Sequence, residues 1–331
     1  MPSFRKINYS VRPAKATERR MLGELFRRLY PFERVENYRY IGFGSVYFSD
    51  FQIVHRALGI DDMVSIERDT NAKECFEFNK PFRSIDLKFG ESEDILPTLQ
   101  WDKRSIVWLD YDGRLNSSVL SDVATFCANA GSGSVLIVSV NAQPEAEPNE
   151  EARSQFERET GDAFDSGAYR LAKLKENLPG RVPPGTQGRS LRKEGVATVF
   201  YRVLMNQLAE QIAVRNATLL GEHKLFLQQF AHFHYKDNAL MLTVGIILVS
   251  EAERSLCEAC SFDGLDFVRT GAEAYTIRVP CLTGREIQHL NSQLPAPAGI
   301  SLECPGVSKS EIQTYSEVYR FFPNFGEILW T

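Results

Sequence analysis

Between residues 38 and 140, five short apolar segments alternate with stretches of helical character, and that alternation leaves the chain few folds. The segments are YRYIGF (38–43), MVSIE (63–67), SIDLKF (84–89), SIVWLDY (105–111) and SVLIVSV (134–140). Strands joined by helices at this spacing predict a parallel sheet with helices on both faces. The first, fourth and fifth are almost unbroken apolar runs, as expected of strands buried on both faces. After the first strand, Tyr47, Phe51, Val54 and Leu58 recur at helical spacing. A further helix is predicted over 117–130, ended by the GSG at 131–133.

Outside this core the pattern changes. Residues 16–30 predict a helix with Met21, Leu22, Leu25, Phe26 and Leu29 on one stripe. Arg19, Arg20, Arg27 and Arg28 lie mostly on its other side, and Pro31 stops it. Residues 142–195 are polar and rich in Pro and Gly, and read as an insertion carrying one or two helices. Residues 196–215 predict a helix, and 225–250 two strands joined at a Lys-Asp-Asn turn, an antiparallel pair. Helical pieces follow at 251–260, 283–294 and 308–320. The expected division is a helical extension (1–34), an α/β domain (35–250) with its insertion at 142–195, and a C-terminal α/β extension (251–331). The expected fold class is α/β: a doubly wound, mostly parallel sheet with antiparallel closing strands and helical additions.

At 331 residues and 43% hydrophobic composition the chain can bury a large core. With 38 basic and 43 acidic residues, net −5, it lacks the global basic footprint of a nucleic-acid binder. Locally, Arg12, Lys15, Arg19 and Arg20 with GRSLRKEG (188–195) would make either a phosphate-binding surface or a solvated helix face. The longest apolar run, ALMLTVGIILVS (239–250), is too short to span a bilayer, and MPSFRKINYSVRPAK has no apolar signal core. Six scattered cysteines do not form a disulfide framework. A cytoplasmic protein with no membrane association is expected. CEAC (257–260) has no second pair and reads as buried or free cysteines. His232 and His234 share a strand face, which is too few ligands for zinc.

The candidate site lies at the strand ends. Gly42 and Gly44 follow the first strand, where glycine permits a sharp turn and close approach of a ligand to a helix N-terminus. The dinucleotide fingerprint wants a third glycine where Tyr47 stands, so a plain turn remains an alternative. Glu67 ends the second strand, placed to accept from both hydroxyls of a ribose. Glu91 and Ser92 of FGESEDI (89–95) follow the third strand, and Asp110 and Asp112 end the fourth. Any one of these carboxylates would also suit a solvated loop or a helix cap. Their shared position at the carboxyl edge of an open α/β sheet, where ligands bind, favours a site.

This glycine turn, acid and Asp motif, together with an antiparallel pair at 225–250, resemble the class I S-adenosylmethionine-dependent methyltransferases over roughly 35–145 and 225–250. The resemblance implies S-adenosylmethionine as cofactor. Gly42, Gly44 and Ser45 would pass under its methionine part, Glu67 would take the ribose, and Glu91 or Ser92 would lie near the adenine. Asp110 and Asp112 would sit beside the methyl group and the substrate as catalytic residues. The sequence departs from the family at Tyr40, where an acid is usual, and at Val46, where the third glycine stands. DYDG replaces the Asn/Asp-Pro-Pro-aromatic motif of amino-methylating nucleic-acid enzymes, which leaves transfer to an oxygen, to a nitrogen elsewhere, or an inactive cofactor-binding fold. Some oxygen-methylating members hold a divalent metal, and Asp110, Asp112 and Asn141 stand at comparable places for Mg²⁺. Capping by Asn141 is the other reading, and no metal is expected. The remaining alternatives are a nicotinamide-dependent oxidoreductase, against which the missing third glycine counts, and a non-catalytic scaffold. The expected partner is an unidentified small-molecule or macromolecular substrate, with a protein partner or homo-oligomer left open.

Overall fold

The computed structural model describes residues 12–297 and 299–323; the outer ends of the two predicted extensions lie outside these. Five parallel strands occupy the predicted segments: β1 (Arg39–Gly42), β2 (Asp62–Glu67), β3 (Ile85–Phe89), β4 (Ser105–Asp110) and β5 (Val135–Asn141). The 225–250 pair forms β6 (Leu225–Lys236) and β7 (Leu240–Ser250), and a short β8 (Tyr275–Ile277) follows. All eight make one sheet in the order β3-β2-β1-β4-β5-β7-β6-β8.

The register places the ligand edge. β1 pairs in parallel with β2 on one side and β4 on the other, so the strand order reverses there and opens a crevice at their carboxyl ends. β7 runs antiparallel to β5, with Asn141 opposite Met241, and β8 runs parallel to β6. The β6–β7 turn and the end of β8 therefore share the carboxyl edge with β1, β2, β4 and β5.

Both faces of the sheet are covered, which explains the unbroken apolar strands. Tyr40, Ile106, Trp108, Val135 and Ile137 point into one core layer, and Ile41, Val107, Leu109, Leu136 and Val138 into the other. The second layer is closed by α3 (Ser117–Asn129) and α4 (Gly195–Asn216). The first is closed by α1 (Pro13–Arg27) and α2 (Ser49–Leu58). Residues 251–322, including Cys257, Phe262, Leu290 and Tyr315, pack into that same layer.

The helix after β1 begins at Ser49, two residues beyond Tyr47, because Ser45 and Phe48 adopt left-handed backbone conformations (φ +46° and +47°) and hold an extra turn before it. The 142–195 insertion carries two helices, Glu150–Thr160 and Ser166–Asn177, each started by a side-chain cap from Asn149 or Asp165.

One glycine in the sheet is set by packing. Gly245 of β7 faces Ala231 across the strand pair, beside a bulge in β6 between Gln229 and Ala231. A Cβ there would lie 2.8 Å from Ile137 Cδ1 and 2.9 Å from Ala231 Cβ. Gly245→Ala should therefore overpack the core and cost about 1–3 kcal/mol, read as a lower urea midpoint with unchanged slope.

Candidate active site

The glycine turn is held by the tip of β2. Gly44 N donates to Ser65 Oγ (3.0 Å) and Glu67 Oε1 (2.9 Å), and Ser65 Oγ donates to the same carboxylate oxygen (2.6 Å). Glu67 Oε2 takes no part in these bonds. A Cβ on Gly44 would stand 2.5 Å from the Phe48 ring and 2.7 Å from Ser65 Oγ, so the turn closes only around glycine. The left-handed Ser45 and Phe48 that follow are strained for residues with side chains, a feature common at ligand clamps. Glu67 is 5% exposed, and burial raises its pKa to about 7 against the bonds from Ser65 and Gly44 that lower it.

The tip of β3 adjoins that of β2: Gly90 N donates to the Glu67 carbonyl (3.1 Å). Glu91 is exposed and faces Arg68 at 4.0 Å, whereas Ser92 is buried and its hydroxyl donates to Asp122 Oδ2 (2.5 Å). Asp122, on α3, also accepts from Tyr111 Oη, and burial raises its pKa. Tyr111 in turn meets Phe43 edge to face at 5.1 Å, which ties the β4 tip to the glycine turn. Asp122 was not anticipated from sequence, because a lone Asp in a helix carries no motif.

The largest departure from expectation is at α1. Lys15 is fully buried, and its Nζ lies 2.7 Å from Asp110 Oδ1, 2.7 Å from Glu18 Oε2 and 3.2 Å from Tyr235 Oη. Its ammonium also sits 4.5 Å from the centre of the Trp108 ring. Burial works against its charge, but Asp110 and Glu18 outweigh that, and its pKa is raised. Burial raises the Glu18 pKa in spite of Lys15. Arg19 pairs with Asp50 of α2, both buried. Glu18 accepts from Thr243, Thr243 meets Ser139 (2.8 Å), and Ser139 accepts from Trp108 Nε1 (3.1 Å). The basic stretch around 12–20 is thus mostly turned inward: Lys15 and Arg19 are buried and Arg12 pairs with Asp237, while Arg20 is exposed and donates to the Phe322 carbonyl. It does not form the phosphate-binding surface, nor the solvated face, that its charge suggested. Lys15, Glu18 and Leu22 share one helical stripe, a signal that was available but masked by charge.

Asp110 therefore stands at the β4 tip with a cation already on one oxygen. Asp112 lies exposed in the loop beyond. Asn141 Oδ1 accepts from Gln143 N (2.9 Å), so it serves as a cap. With Asp110 held by an ammonium and Asn141 by a backbone amide, these three residues do not fit a Mg²⁺ site. Cys257 and Cys260 are buried thiols whose pKa values are pushed up to about 11 and about 12. His232 and His234 do share a face, with ring centres 5.2 Å apart, and burial holds both neutral. No helix among the described residues is long and apolar enough to cross a membrane.

Over residues 7–330 the sequence matches the family described as "Putative O-methyltransferase". The chain belongs to this family. No curated protein matches it. Among solved structures it is similar to Trm1 from Pyrococcus horikoshii in complex with S-adenosyl-L-methionine, at 11% identity and TM-score 0.42, over 74% of this chain and 57% of that one. It is also similar to the O-methyltransferase TomG from Streptomyces achromogenes in complex with SAM, at 15% identity and TM-score 0.35, over 69% and 79%. LepI in complex with SAM matches at 10% identity and TM-score 0.34, over 64% of this chain. The chain spans 43% of LepI and 57% of Trm1, about half the length of these relatives.

The buried Glu67 carboxyl gives the O-methyltransferase family member a pH signature. With a folded pKa near 7 and an ordinary value of 4.5, the folded state holds the proton more tightly, so this contribution to stability fades as pH rises through that window. The stability of the wild type relative to Glu67→Gln should fall by about 2–3 kcal/mol between about pH 5 and about pH 8, measured by urea unfolding. A constant difference would refute the assignment.

Proposed function

We propose that this chain transfers a methyl group from S-adenosylmethionine to an oxygen of its substrate, with the cofactor lying across the glycine turn between β1 and β4. The observation that carries this is the clasp of Gly44 by Glu67 at the point of strand reversal, in a chain belonging to the O-methyltransferase family. The residues present suit that cofactor. Gly42 and Gly44 let the turn pack closely against Trp108, Phe48 and Ser65, and the Glu67 carboxyl that holds the turn stands where ribose hydroxyls would lie. Glu91 and Ser92 stand next to Glu67 on the adenine side, with Ser92 fixed through Asp122. The cofactor supplies a methyl group already activated on a cationic sulfur, so the protein must bind, align and exclude water.

Asp110 suits alignment. Its Oδ1 accepts from the buried Lys15 ammonium at 2.7 Å, which fixes the orientation of the carboxylate. Around it, the carboxyl groups of Asp50, Glu18 and Asp110 face two cations, Lys15 and Arg19. That balance favours a positively charged ligand at the β4 tip. Asp112, exposed beyond it, faces the solvent side on which an acceptor would arrive.

Calorimetric titration with S-adenosylmethionine, S-adenosylhomocysteine and NAD checks the reading. The first two should bind in the micromolar range and NAD should not. Glu67→Ala should weaken both by about 1–3 kcal/mol, the value of a hydrogen bond to a charged group. A folded Glu67→Ala variant with full affinity would remove the ribose role, and absence of binding by the wild type would remove the cofactor assignment.

A further inference from the structure

A cavity of about 830 Å³ opens at the carboxyl edge, away from the glycine turn, where the start of α1, the β6–β7 turn and the end of β8 meet. Its size suits a drug-sized molecule. Ala14, Tyr235, Leu240 and Ile277 give it apolar walls. The charged residues around it are not all available to a ligand. Asp237 accepts from the backbone of Ala14 (2.9 Å) and Lys15 (3.1 Å), and pairs with Arg12. Lys236 and Arg278 are exposed, line the cavity and have no ion-pair partner among the described residues. Glu194 is the one other acid in the lining, so the uncommitted charge there is positive on a chain that is acidic as a whole. His234 also lines it, is 8% exposed, and its Nε2 is buried with no hydrogen-bond partner in the structure. An unpartnered buried polar atom beside a cavity is costly unless a ligand or water meets it.

We propose that this cavity is a binding site for a small amphipathic anion: a ring-sized apolar body carrying one carboxylate, sulfonate or phosphate group held by Lys236 and Arg278. One residue links the cavity to the candidate active site. Tyr235 is among the lining residues, its hydroxyl oxygen accepts from Lys15 Nζ, and Lys15 holds Asp110. On the reading of the preceding subsection, and resting on it, the occupant is the molecule that is methylated.

Anilinonaphthalene sulfonate, an aromatic anion that fluoresces in apolar surroundings, is a direct probe. The native protein should bind it saturably at one site. Lys236→Ala with Arg278→Ala should weaken binding about tenfold or more, as expected for loss of charged contacts, while the neutral N-phenylnaphthylamine should be little affected. Thr276→Trp, at an exposed position of the lining, should reduce binding of both probes by filling space. Near-ultraviolet circular dichroism establishes that each variant keeps native packing. Saturating S-adenosylhomocysteine should leave the probe bound; displacement would place the probe at the glycine turn and overturn the proposal. Unchanged affinity in the double variant, or no saturable binding by the native protein, would also overturn it. A wild type that binds the probe but not S-adenosylhomocysteine would sink the cofactor reading alone and leave this site standing.

Discussion

A buried ammonium keeps its charge only if carboxylates meet it, and Lys15 sets the arrangement of the whole carboxyl edge. Taking that cation out of water costs several kcal/mol, which Asp110, Glu18 and the Trp108 ring offset together. Removing one member of such a group leaves the others unpaired, at a cost of about 3–5 kcal/mol. The cluster fixes α1 against β4, β6 and β7, and with α1 the first core layer closes. It also fixes the orientation of Asp110, whose Oδ1 is held by the Lys15 ammonium.

The polar chain from Trp108 through Ser139, Thr243 and Glu18 to Lys15 runs beneath the sheet edge across three strands. Every link passes between neighbouring strands or onto α1, so the candidate site is braced from below. Tyr40 of β1 belongs to the same region. Burial raises its phenol pKa well above the ordinary value, and the charges of Asp50 and Asp110 add to this. Acidic charge is thus provided near the turn by α2 and β4 rather than by β1.

The sheet was legible because its central strands are buried on both faces and leave nearly unbroken apolar runs; β1, β4 and β5 fall within a residue or so of the segments read from sequence. The hairpin and the helical insertion were legible from turn chemistry and composition. The bonds of Glu67 to Gly44 and Ser65 are tertiary and left no local signal, whereas its place at the tip of β2 was legible from the apolar run it ends. Lys15, Glu18 and Arg19 were not. Charged side chains default to the surface, and the partners that draw these inward lie 95 residues away at Asp110 and 225 at Thr243. Asp122 was missed for a related reason: its bonds to Ser92 and Tyr111 are tertiary, and nothing local distinguishes it from a solvated helix acid.

The cap that Asp237 places on the start of α1 has a consequence for the order in which the molecule can assemble. The helix and its cap are separated by 222 residues of chain. During synthesis from the N-terminus, α1 emerges long before the hairpin that satisfies its first amides and before the strands that receive Lys15 and Glu18. Until β6 and β7 are made, a helix with an apolar stripe and three inward-facing charges has no site to occupy. Such long-range closure is slow and leaves apolar surface open to wrong partners in the interval. Strands made late in the sheet thus lock a helix made early, so truncation that removes β6 and β7 would undo the layer that α1 closes as well.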